Sequence, residues 1–98
     1  MDDIDLIDEH KAIRASERAT RAEALLNDEL LQEAFGAVDR ELIDLWRQSK
    51  DAAQRDRIWQ ATQIAERVKG ILNSYIQNGK IARADLARIE GKRSRKAA

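Results

Sequence analysis

A chain of 98 residues with zero net charge, 37% charged and 43% apolar side chains has the balance of one small folded domain, which excludes a disordered polyelectrolyte. The absence of cysteine excludes disulfides, thiol nucleophiles and thiolate zinc sites. No proline and four glycines among many Ala, Leu, Glu, Arg and Gln residues predict an all-α protein, and with 4% aromatic residues its core must be built mainly from small and aliphatic side chains.

In chain order, Asp2 or Asp3 is the expected cap of a first helix, whose stretch from Glu9 to Glu23 is mostly charge and alanine. Ala12, Ala15, Ala19, Ala22 and Leu26 recur at steps of three and four, so one face is lined with small side chains that let another helix or a second subunit approach closely. Such a face buries little, because each CH₂ is worth about 0.8 kcal/mol. Residues 1–26 are therefore expected to be helical and mobile. On the same helix Lys11, Arg14, Arg18 and Arg21 follow steps of three, four and three, a stripe that suits either phosphate contact or simple solvation.

Asn27-Asp28 is the expected break, with Asp28 capping a second helix over about 28–48. Its seam is Leu31, Phe35, Val38, Leu42 and Leu45. A turn at Ser49-Lys50-Asp51 follows, and Asp51-Ala-Ala-Gln54 has the form of a capping box that starts a third helix. The third seam is Ile58, Ala61, Ala65, Val68 and Leu72, the mirror of the second. Folding at Lys50–Asp51 sets Leu45 opposite Ile58 and Leu31 opposite Leu72, an antiparallel helical hairpin of about 28–48 and 52–77. Ile64 and Ile71 widen the third face beyond what one helix covers, which makes them, with Ala12, Ala15, Ala19 and Ala22, candidates for an oligomer interface. Trp46 and Trp59 flank the turn and are expected to close the end of the hairpin, an exposed aromatic anchor at a partner surface being the alternative.

Asn78-Gly79 reads as a C-terminal stop, followed by a short fourth helix from Ile81 to Ile89. One helical domain of residues 1–90 is the result, with 91–98 as a basic disordered tail. Residues 80–98 hold seven bases and two acids, so Lys92, Arg93, Arg95 and Lys96 are candidate contacts for nucleic acid or an acidic partner.

No catalytic constellation is visible. His10 stands alone, so neither a metal pair nor a Ser-His-Asp set can form within one chain. The acids Asp2, Asp3, Asp5, Asp8 and Glu9 lack the glycine turn and spacing of a calcium loop. Other acids stand at salt-bridge spacing from bases, as Glu17 does from Arg21. The acidic start is unlike a signal peptide, and no apolar run approaches the ~20 residues of a membrane span. An intracellular protein without cofactor, metal, membrane or small-molecule substrate is expected.

Arg21-Ala-Glu-Ala-Leu-Leu-Asn-Asp28, then Phe35, Leu42 and Trp46, then Arg55 and Trp59, and finally Val68, Leu72 and Gly79-Lys-Ile-Ala82 carry a resemblance. Over residues 21–82 the chain resembles small helical proteins that tailed bacteriophages encode among head-assembly and DNA-packaging genes. The resemblance implies a hairpin rather than catalytic residues, with small terminase subunits as the nearest analogy: their central hairpins form rings and their tails engage packaging partners. Such subunits usually begin with a helix-turn-helix domain, where this chain has one helix running from acidic to basic. The expected function is a non-enzymatic, oligomeric phage assembly or packaging adaptor, acting in the host cytoplasm or in the virion. The alternatives are a nucleic-acid-binding accessory protein, and an inhibitor that presents its acidic N-terminus to a host protein.

Overall fold

The computed structural model describes the backbone of residues 3–97 and the side chains of residues 8–95. It is all-helical: α1 (Asp3–Leu26), α2 (Glu29–Gln48) and α3 (Ala52–Ala97), with no strand among the described residues. Asp2, a candidate first cap, lies outside the described residues, and Asp3 is already helical.

Two connections are set by local side-chain chemistry. The Asp28 carboxylate accepts from the Leu31 N–H at 2.9 Å and caps α2, while the Gln32 amide donates to the Leu26 carbonyl at 2.9 Å. Both bonds satisfy groups that helix ends otherwise leave unpaired. At the next junction Ser49 turns extended, and its hydroxyl and its N–H both donate to the Trp46 carbonyl, at 2.6 and 3.1 Å. Asp51 then accepts from the Gln54 N–H at 2.8 Å. The Gln54 side chain returns the bond to the N–H of Lys50 at 2.9 Å, one residue before the cap. The capping box read from the sequence is thus present in a slightly extended form.

The expected helix stop does not occur. No described glycine has a positive φ, the left-handed conformation a glycine stop requires, and α3 runs through Asn78-Gly79 without interruption. There is accordingly no separate short helix over 81–89. Residues 91–97, read from the sequence as a disordered tail, continue α3. The reason for the continuation is tertiary: Gly79 is buried, and a Cβ there would overlap the Ala19 methyl while lying 3.4 Å from the Ala15 carbonyl oxygen. Glycine at this position lets two helices touch. Beyond it, Ala, Leu, Arg and Lys are strong helix formers, and cations suit the negative end of the helix dipole.

The chain divides into two compact units, the first made of Met1–Ala24 with Leu72–Ala98 and the second of Leu25–Ile71. In the first unit α1 packs on the C-terminal part of α3. Among the described residues its buried apolar side chains, Ala12, Ala19, Ala22 and Ala82, are all alanines. Ala19 is only 1% exposed. Bulk burial is therefore small, and close backbone approach with polar clamps does more of the holding. Arg83 donates from Nε to the Ser16 hydroxyl at 3.1 Å and from Nη2 to the Thr20 hydroxyl at 3.0 Å. Arg93 forms a two-point ion pair with Glu9, and the Arg18 guanidinium lies 4.6 Å from the centre of the Tyr75 ring.

The second unit contrasts with the first, because α2 contains no buried residue at all. Lys69 of α3 links it to α2, its ammonium standing 3.8 Å from Asp39, 3.4 Å from Glu66 and 5.0 Å from the centre of the Phe35 ring. Near the turn, Leu45 and Ile58 line one shallow depression.

Candidate functional site: an open apolar groove on the second unit

The amphipathic pattern of α2 and α3 is wider than the contact between them. At 100° per residue, Ile43 and Trp46 lie on the flank of α2 beside the Leu31–Leu45 seam, and Trp59 and Thr62 lie on the matching flank of α3. Together with Leu42 and Ile58 they line an open groove of about 500 Å³. Charged side chains rim it: Asp39 and Arg47 from α2, Glu66 from α3. Ile43 is 51% exposed, Trp46 46% and Trp59 58%. Neither tryptophan is enclosed, contrary to the closing role that the sequence reading favours. Large aromatic side chains left this open are characteristic of binding anchors, because each loses much apolar area from water on contact.

The candidate residues from the sequence fall into three groups. Ala12, Ala19 and Ala22 are buried and Ala15 is half-buried within the first unit, so α3 of the same chain occupies the face they offer. Ile64, 65% exposed, and Ile71 remain open to solvent. Among the cations, Arg18 stacks on Tyr75 and Arg93 pairs with Glu9, whereas Lys11, Arg14, Arg21, Lys92 and Arg95 are exposed; the Lys96 side chain lies outside the described residues.

The Glu9–Arg93 pair is also electrostatically distinct. The hydrogen bond from Arg93, assisted by its charge and that of His10, holds the Glu9 carboxyl below its ordinary value of 4.5 against a smaller opposing effect of burial. The same hydrogen bond raises Arg93. The pair ties the start of α1 to the end of α3 within the first unit.

Comparison with protein families, with curated proteins and with solved structures finds no match in any of the three. Among the described residues no cluster of three or more carboxylates and histidines could hold a metal, and no helix is long and apolar enough to cross a membrane. The groove is apolar at its centre and charged at its rim, the composition of a macromolecular contact surface. Ile43 was not singled out in the sequence because it lies off the main seam; its position beside Trp46 on the same helical flank is the signal that reveals it.

Proposed function

We propose that the chain is a non-enzymatic helical adaptor that associates with itself and with another protein of a tailed-phage head-assembly or DNA-packaging apparatus. The observation that carries this reading is the lack of any buried residue in α2 beside the open Trp46, Trp59 and Ile43 groove. A two-helix unit with so little enclosed surface gains stability when another helical surface covers it. In this reading α2 and residues 52–71 form an antiparallel hairpin. The three-residue turn, the Lys69 contacts with Asp39 and Phe35, and the shared Leu45–Ile58 depression support it. The phage setting rests on the resemblance carried by residues 21–82.

Light scattering after gel filtration, across a range of concentrations, tests the adaptor reading. A mass above the 11.2 kDa of one chain that rises with concentration is expected. A strict monomer at every concentration overturns the reading.

One feature favours nucleic acid as a second partner. Arg88, Lys92 and Arg95 are exposed and fall within about 60° on the outer side of α3, away from the Gly79–Ala82 contact. Gel shifts at rising salt should then show a negative slope that shrinks when these three are neutralised. Absence of binding at low salt excludes this use.

A further inference from the structure

We infer that the groove is a self-pairing surface, in which a second copy lies face to face across a two-fold axis passing beside Ile43. The inference rests on the adaptor reading and its hairpin, and adds the occupant and the register.

On α2, Asp39 and Arg47 stand four residues either side of Ile43. On α3, Arg55 and Glu66 share the groove flank by helical angle, and their midpoint falls between Gln60 and Ala61. Leu45 opposite Ile58 places Ile43 level with Gln60, so the two midpoints lie at one height. A two-fold axis in the plane of the groove at that height brings Arg47 to Asp39 of the second copy and Arg55 to its Glu66. It also stacks Ile43 on its own counterpart between the tryptophans.

The charges are unbalanced in the way this pairing needs. Asp39 and Glu66 share the single cation Lys69. Arg47 and Arg55 make no ion pair among the described residues. The turn end of the face is thus left basic, while the end with Asp39 and Glu66 also holds Lys69 and the Arg40 guanidinium; an inverted copy sets Arg47 and Arg55 on the two carboxylates and the Asp51 turn beside Arg40.

Two glycines agree with the register. Gly70 has no atom within 4 Å of a Cβ position, and Gly36 would meet only the flexible Arg40 guanidinium at 3.5 Å. Nothing within the chain requires a glycine at either place. The same axis carries the Lys50–Asp51 turn of the second copy over both. In this register the copies overlap only between the two turns, over residues 36–50 of α2, so about 21 Å of helix across a width of about 20 Å presents about 420 Å² per copy. The total of about 840 Å² is that of a weak, reversible association.

The test uses two charge-reversed forms of the full chain, one carrying Arg47→Glu with Arg55→Glu and the other Asp39→Arg with Glu66→Arg. Each alone sets like charges together across the axis and should dimerise at least roughly tenfold more weakly than the unaltered chain. Mixed in equal amounts, they should form a one-to-one heterodimer, seen by native mass spectrometry, which a misfolded variant would not do. An unaltered chain that associates while the mixture does not overturns the register and leaves the adaptor reading standing. A monomeric unaltered chain overturns both. Ile43→Glu, a change at a half-exposed position, gives an independent readout: loss of the dimer at neutral pH is expected, and undiminished association contradicts the inference.

Discussion

Gly79 rests directly on Ala19, with no space between the two helices for even one further methyl group. Replacing Gly79 with Ala should therefore destabilise the first unit, although Ala is the better helix former by about 1 kcal/mol. Overpacking of about 1–3 kcal/mol outweighs that gain, because the neighbouring atoms are a short side chain and backbone that cannot swing aside. Gly91→Ala, where the Cβ would meet nothing, should stabilise the helix instead. Urea denaturation followed by circular dichroism measures both, and equal effects of the two changes would contradict the account.

That contact also shows what the sequence could and could not reveal. The starts of α2 and α3 were legible because the Asp28 and Asp51 carboxylates bond backbone groups three residues away, a purely local interaction. Asn78-Gly79 carries an equally good local signal for a stop. It is overridden by Ala19, some sixty positions distant, which no local pattern reports. Periodicity likewise located the apolar faces of α2 and α3, yet spacing alone does not reveal whether Trp46 and Trp59 are covered. The cation stripe on α1 was visible as a pattern, whereas the use of Arg18 by Tyr75 depends on packing between distant segments.

Asp28→Ala and Asp51→Ala should each cost about 1 kcal/mol, the usual loss on removing a helix cap. The midpoint of thermal unfolding checks this. Asn replacements at the same positions should retain most of the stability, since the amide oxygen still accepts from the Leu31 or Gln54 N–H.

Arg83 joins three acceptors on α1, the Ser16 hydroxyl and carbonyl and the Thr20 hydroxyl. Arg83→Ala should lower stability by about 1 kcal/mol, since these bonds are exposed and water replaces part of their value. A Ser16→Ala background should diminish the effect, and a double-mutant cycle reads the coupling.

Acid should weaken the first unit through Glu9. Its carboxyl titrates below the ordinary value of 4.5 when folded, so the folded state binds fewer protons than the unfolded one as the pH falls through this range. The stabilisation is complete above that ordinary value and is lost as the pH drops through the lowered one. Urea midpoints between pH 6 and about pH 2 should fall more steeply for the unaltered chain than for Glu9→Gln, and added salt should narrow the difference.

Trp46→Ala with Trp59→Ala should change the helix content little, because both side chains are about half exposed, while abolishing concentration-dependent association. Circular dichroism paired with sedimentation velocity separates the two effects. A collapse of helix content at low concentration would show that the tryptophans serve the fold.

Self-pairing of the groove about Ile43 can be read by single-cysteine crosslinking, which the cysteine-free chain permits without background. In the proposed pairing Ile43→Cys brings two thiols beside the axis, and a disulfide needs a Cβ separation of roughly 3.5–4.5 Å. Mild oxidation should give a covalent dimer in high yield for Ile43→Cys and little for Gln60→Cys, which does not line the groove. Efficient crosslinking through Ile64→Cys with none through Ile43→Cys would contradict the account and place the self-interface on the flank of α3 away from Trp59.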